Sequence, residues 1–197
     1  PTDIGFLEYK RNCDRSPDDI CVAGFRFPAD VEGWLSESEG KALANLARDR
    51  DVLEIGSYCG RSTVCMAQTA NIIHAVDPFD GRGTTNPRYT LSLFIENLTR
   101  YGLAAKVTTH VGPASFIVPK IDKKFDLAFI DGAHHRQQVA EDSRVARSVL
   151  KPKGRLAFHD YGRPGDEGVG ETVNELVCQG AKLVEVVDTV AVLEMAA

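Results

Sequence analysis

Hydrophobic positions change their period once along the chain. Before position 50 they recur at helical spacing, with Leu43, Leu46 and Ala47 following Ser36-Glu37-Ser38-Glu39. That tetrapeptide has the form of a capping box. The Ser36 hydroxyl accepts from the third amide of the helix while Glu39 reaches back, so a helix is predicted to start there. From Asp51 the pattern becomes short apolar runs separated by helical stretches. Strands are predicted at Val52–Ile55, Ile72–Val76, Lys106–Val111, Phe125–Ile130 and Arg155–His159, with Pro152-Lys153-Gly154 turning the chain into the fifth. Helices are predicted over Ser62–Ala70, Leu91–Tyr101, Gln137–Leu150 and near Glu171–Cys178.

Alternation of strands and helices implies parallel strands covered on both faces. The end of the chain differs. Lys182–Val187 and Val190–Glu194 are strand-like with almost nothing between them, a link that only an antiparallel hairpin satisfies. The expectation is an α/β fold, a Rossmann-like seven-stranded, mostly parallel sheet with helices on both faces and a C-terminal antiparallel hairpin. Residues 1–32, with Pro17 and Pro28 and no sustained period, read as an N-terminal extension that packs over the domain or covers a site; residues 33–197 form the domain.

Composition narrows this picture. A chain of 197 residues, 43% hydrophobic and 26% charged, fits one globular domain. The net charge of −5 argues against bulk capture of nucleic acid, which needs clustered Lys and Arg. The five cysteines (Cys13, Cys21, Cys59, Cys65 and Cys178) make no C-x-x-C pair and no zinc spacing. No apolar stretch approaches a membrane span and no signal-peptide pattern opens the chain, so a cytoplasmic protein without a membrane partner is expected.

In open α/β sheets ligands bind beyond the carboxyl ends of the strands. The first strand ends in Glu54-Ile55-Gly56-Ser57-Tyr58-Cys59-Gly60-Arg61-Ser62-Thr63. Gly56 and Gly60 let a turn pass close to a ligand, and the helix start at Ser62 and Thr63 favours a carboxylate. The spacing is G-x-x-x-G, not the G-x-G-x-x-G of dinucleotide sites. Asp77, at the end of the second strand and followed by Pro78, suits the two hydroxyls of a ribose; Phe79 suits either an adenine or the core. After the third strand, Ala114 and Ser115 could meet a flat base. The fourth strand delivers Asp131-Gly132-Ala133-His134-His135 and the fifth His159-Asp160-Tyr161. Two carboxylates and three histidines gathered on one edge exceed what helix capping requires.

With these residues, the chain resembles class I S-adenosylmethionine (SAM) dependent methyltransferases, in particular the methyltransferase-24 domain group related to catechol-type O-methyltransferases. The likeness covers roughly residues 33–197. It rests on Leu53 to Ser62, Asp77-Pro78-Phe79, Phe129 to His134, and Leu150 to Gly154 leading into Phe158-His159-Asp160. The resemblance implies that SAM lies against the loop from Glu54 to Thr63, its methionine moiety at Glu54, Gly56 and Ser57 and its ribose on Asp77. It implies an adenine near Ala114 and Ser115, with Asp131, Gly132, Ala133 and His134 closing the pocket. In the catechol-type branch the acids after strands four and five hold a divalent metal such as Mg²⁺; here these are Asp131 and Asp160. The branch's third ligand, an Asn, is replaced by Tyr161, so His159 or His135 would have to substitute. The branch's Lys after the strand-four acid is absent too, leaving His134, His135 or His159 as general base.

The activity implied is methyl transfer from SAM to a hydroxyl of a small metabolite, a sugar or a secondary-metabolite scaffold, by a protein that could act as a homodimer. Two rivals are a nicotinamide-dependent oxidoreductase and a non-catalytic SAM-binding protein. The glycine spacing and terminal hairpin speak against the first, and the unexplained His and Asp side chains against the second. Acceptor choice is assigned to the N-terminal segment and to the loops Asp80–Arg88 and Arg163–Gly170, the former expected to be a lid.

Overall fold

The computed structural model describes residues 24–82 and 87–195. Most of the N-terminal extension and the middle of the expected lid, residues 83–86, lie outside the described residues, as do Cys13 and Cys21. The elements run α1 (Glu37–Ala47), β1 (Asp51–Ile55), α2 (Arg61–Ala67), β2 (Ile72–Asp77), α3 (Leu91–Arg100), β3 (Val107–Val111), α4 (Ala114–Ile117), β4 (Phe125–Ile130), α5 (Arg136–Ser148), β5 (Leu150–Phe158), α6 (Glu167–Cys178), β6 (Lys182–Val187) and β7 (Val190–Glu194). The seven-stranded sheet has the order β3-β2-β1-β4-β5-β7-β6. Neighbours from β3 to β5 are parallel. β7 runs antiparallel to both β5 and β6, as the short Asp188-Thr189 link requires.

Alternation along the strands separates two cores. Val52, Ile73 and Ala75 face Leu43 of α1, Val64 of α2 and Phe94 of α3. Leu53, Ile55 and Val76 face Ala114 of α4, Val139 of α5 and Val173 of α6. Strands buried on both faces explain why β1 and β4 read as near-continuous apolar runs. The capping box forms as expected: Glu39 N donates to Ser36 Oγ, and Ser36 N donates to Glu39 Oε2 at 2.8 Å. Phe79 belongs to the core, fully buried with its ring centroid 5.0 Å from that of Phe94, which answers the choice between core and adenine.

Two boundaries differ most from the sequence expectation. Pro152-Lys153-Gly154 lies inside β5 rather than before it, and Lys153 takes φ +61° where the pairing with β4 shifts register. A Pro-Lys-Gly run reads as a turn, but a bulge in a strand demands the same freedom. Helix α6 starts at Glu167, before its predicted start, despite Gly168 and Gly170. Gly168 is there for close approach, since a Cβ would stand 2.4 Å from the His134 carbonyl oxygen and 2.3 Å from Arg136 N. Among the described residues no helix is long and apolar enough to cross a membrane.

The centre of the sheet sets a stability expectation. Leu127 of β4 is fully buried. Leu127→Ala should cost about 2–5 kcal/mol through lost transfer energy and the cavity left behind. Urea unfolding checks it: the midpoint should fall while the dependence on denaturant keeps its slope.

Candidate functional site

The loop leaving β1 is wound by left-handed residues, Gly56 at φ +88°, Tyr58 at +47° and Gly60 at +92°. Turns of this kind point successive amides at one spot and make a concave anion receptor. Asp77 occupies it: its Oδ2 accepts from Ser57 N at 2.7 Å and Tyr58 N at 2.9 Å, and its Oδ1 accepts from Phe79 N. Asp77 therefore stands at the lip of the loop and fixes its shape. Gly56 cannot be replaced without movement, because a Cβ there would lie 2.1 Å from the Asp131 carbonyl oxygen. The β1 and β4 strand ends are held this close by the bond that Asp131 N donates to the Ile55 carbonyl at 2.8 Å.

Glu54 lies behind the loop, fully buried. Three hydroxyls donate to its carboxylate: Ser62 at 2.6 Å, Thr63 at 2.5 Å and Ser57 at 2.8 Å. Burial pushes its pKa up to about 7, against the lowering effect of those donors. The hydroxyls of Ser62 and Thr63, expected from the sequence to face a ligand, are turned inward, because a buried carboxylate needs donors. Ala114 is buried after β3 and Ser115 beside it is exposed; Pro78, Ala133 and His135 are exposed as well.

At the ends of β4 and β5 the predicted acids converge. Asp131, His134 and Asp160 each offer a ligand atom, all within 4.8 Å of one another. His134 Nδ1 is 2.8 Å from Asp166 Oδ1, and His134 Nε2 is 3.1 Å from Asp160 Oδ2. Asp160 is buried in the left-handed region at φ +61°, and its Oδ1 accepts from Arg163 Nη1 at 2.8 Å. Burial alone would raise its pKa, but His159 and Arg163 hold it down at about 2.

His159 has no free nitrogen. Nδ1 lies 3.2 Å from Asp131 Oδ1 and 3.1 Å from Asp160 Oδ2, and Nε2 lies 3.4 Å from Glu39 Oε2. Burial opposes its charge, yet Asp131, Asp160 and Glu39 raise its pKa to about 12, so it keeps its proton. Of the three histidines named from the sequence, His134 alone presents a nitrogen to the acids from the cleft. His135 starts α5 on the surface without a capping bond, outside the cluster. Tyr161 is packed against the core on the α4–α6 face and does not join the acids.

Several members were invisible in the sequence. Asp166, Arg163 and Glu39 reach the cluster from other elements. Trp34, half-exposed, stands 5.2 Å from the Tyr58 ring, and the Tyr58 hydroxyl donates to Glu32 at 2.7 Å. Arg88 lies over Tyr58 and pairs with Glu32 at 2.5 Å, so one flank of the 80–88 segment is tied to the residues before α1. A cavity of about 560 Å³ lies elsewhere, by the β3 edge, lined by His74, His110, Ile117 and Lys120. It contains none of the strand-end residues, and the convergence of chemistry at the strand ends outweighs its size.

Known proteins similar to this chain share its family and its fold. A family model described as a methyltransferase domain matches residues 53–161, from the β1 loop through Tyr161. Catechol O-methyltransferase of Niastella koreensis is 31% identical over 158 residues, which are 75% of this chain and 66% of that protein. The chain thus spans 66% of the length of that curated relative. The O-methyltransferase TomG from Streptomyces achromogenes, solved with SAM, superposes with a TM-score of 0.65 at 21% identity, covering 83% of this chain and 82% of its own. An O-methyltransferase from Bacillus cereus in complex with SAH superposes with a TM-score of 0.63 at 16% identity, covering 84% and 85%. These two likenesses establish the shared fold.

Glu54 generates a pH expectation. Its pKa is about 7 in the folded chain, above the 4.5 of a free Glu. The folded state therefore binds the proton more tightly, and the associated stability is complete below the unfolded pKa and lost as pH rises through about 7. Between pH 5 and 7 the unfolding free energy of the natural protein should fall more steeply than that of Glu54→Gln, by up to about 1.4 kcal/mol per pH unit. Parallel slopes in denaturant titrations across that window would contradict it.

Proposed function

The chain belongs to the methyltransferase-domain family whose model it matches, and from that membership and the strand-end geometry we propose that it transfers the methyl group of SAM to a hydroxyl of a small-molecule acceptor. The observation that carries the proposal is the convergence of Asp131, His134 and Asp160 beside the glycine loop. SAM would lie along that loop, its methionine end at Gly56 and Ser57, its ribose at Asp77 and its adenine towards Ala114 and Ser115. Glu54 acts from behind by holding the loop. A sulfonium methyl is already activated, so the protein's work is to align an oxygen with it and remove a proton.

The donor set fits a divalent cation, with two carboxylates from neighbouring strand ends and the His134 imidazole beside them, their ligand atoms all within 4.8 Å of one another. Hard ions such as Mg²⁺ settle for one or two carboxylates and complete their shell with water or substrate, so Asp131 and Asp160 suffice as protein ligands. When bound, such an ion supplies a Lewis acid that lowers the pKa of the acceptor hydroxyl and orients it. His134, its Nδ1 fixed by Asp166, takes the proton at Nε2. Trp34 and Tyr58 offer an aromatic wall at the open side of the loop, which suits a flat acceptor. The catechol acceptor named for the Niastella protein is the first to assay.

Two outcomes test these assignments. Asp77→Ala should weaken SAM binding about tenfold or more in calorimetry, since hydrogen bonds to a charged group contribute roughly 1.5–3 kcal/mol. Unchanged affinity in a folded variant would remove the ribose from Asp77. Chelator-stripped protein should lose methyl transfer to catechol and regain it with Mg²⁺ or Mn²⁺. Zn²⁺, which favours imidazole, should recruit His134 and suppress the reaction. Full activity after stripping would leave His134 to act without an ion.

A further inference from the structure

We propose that Glu39 is a positioning residue for this reaction, fixing Asp131 and Asp160 through His159; the inference rests on the function proposed above. A capping box needs a Glu at the third helical position but does not need it buried, since capping acids sit comfortably in water. The Glu39 side chain is only 4% exposed. It lies in the seam between the start of α1, the end of β5 and the β6–β7 turn, and both of its oxygens are engaged. Oε2 accepts from Ser36 N at 2.8 Å and faces His159 Nε2 at 3.4 Å. Oε1 accepts from Thr189 N at 3.0 Å and from Thr189 Oγ1 at 2.6 Å.

From there two routes lead to the acids. The His159 ring is gripped at both ends, by Glu39 behind and by Asp131 Oδ1 and Asp160 Oδ2 in front, at 3.2 and 3.1 Å. It spans the gap as a rigid strut, with the Phe129 ring edge-on against it. The second route is backbone: the Thr189 carbonyl accepts from Tyr161 N at 2.9 Å, anchoring the residue that follows Asp160. Glu39 touches neither cofactor nor acceptor in this arrangement. A Gln oxygen at this position can still accept from Thr189, so the backbone route survives Glu39→Gln and the carboxylate's own effect on the chemistry passes through His159, the side-chain route.

The experiment compares Glu39→Gln, His159→Asn and the double variant with the natural protein, using SAM and catechol as substrates and SAH for binding. Glu39→Gln should lower kcat at least tenfold, leaving KM for SAM and the SAH dissociation constant within about twofold. His159→Asn should show the same split, and the double variant should be no slower than His159→Asn alone, because residues acting through one another are not additive. Full kcat in folded Glu39→Gln, full kcat in His159→Asn, or losses that multiply in the double variant would each overturn the proposal. Should Glu39→Gln not fold, Glu39→Asp takes its place in the same comparison, since the shorter carboxylate withdraws from His159, and full kcat in that variant or in His159→Asn still overturns the proposal. Crystal structures of the natural protein and Glu39→Gln with SAH give a readout that needs no acceptor. Asp131 and Asp160 should leave their natural positions while SAH stays, and unmoved acids would refute the positioning role. A natural protein that binds SAH but methylates no hydroxyl would instead refute the function, with the crystallographic comparison still deciding the inference.

Discussion

The carboxyl edge of this sheet is organised around one buried cation. His159 brings a protonated imidazole between Glu39 on one side and Asp131 and Asp160 on the other. Taking charges out of water costs several kcal/mol for each ion, and the pairing offsets this only when geometry and further hydrogen bonds are good. Here they are supplied from well-separated stretches of chain: α1, the ends of β4 and β5, the β6–β7 turn, and Arg163 before α6. Such an arrangement is poor as a source of net stability and strong as a specifier of position. An apolar plug of the same volume would hold the elements together equally well and leave nothing for chemistry.

The neighbouring loop solves a related problem with a neutral device. Its left-handed turns gather amides, and Asp77 supplies the charge they need from β2. Behind it the buried Glu54 is surrounded by hydroxyls rather than cations, so its pKa rises while that of Asp160 falls. Two carboxylates on adjacent parts of one edge thus take opposite protonation behaviour, burial prevailing over hydroxyl donors at Glu54 and the cationic partners prevailing over burial at Asp160. The first tightens a loop; the second keeps its negative charge at the cleft.

Local signals carried much of the architecture. The capping box at Ser36, the apolar strands, the hairpin forced by a two-residue link and the acids at the ends of β2, β4 and β5 are all written within a few residues of one another. Partnerships across the chain are not. Glu39 and His159 are 120 positions apart, and no period or spacing connects them. Glu39 reads as a surface cap because its local role is complete without any buried partner. Tyr161 was conspicuous as a departure from the expected ligand, but the residue filling that corner, His134, comes from another strand end. Which histidine faces the acids depends on the turn after β4. There Gly168 lets α6 press against the His134 backbone, and Asp166 then catches the ring.

That turn also explains why adjacent histidines have different fates. His134 and His135 are chemically equal in the sequence, and both precede α5. The helix begins at Arg136, so His135 is its capping position and its side chain goes to the surface. His134, one residue earlier, is still in the strand-end loop, where Asp166 holds Nδ1 and leaves Nε2 towards Asp160. A base is useful only when one nitrogen is fixed and the other is aimed at the reacting proton. Both nitrogens of His134 and of His159 face carboxylates, but the His134 side chain is 35% exposed and within reach of an acceptor while that of His159 is only 4% exposed; His135 directs neither nitrogen at the acids. The division suits the reaction proposed above: the imidazole assigned as base stands at the cleft, and the one held by three carboxylates is sealed behind the acids.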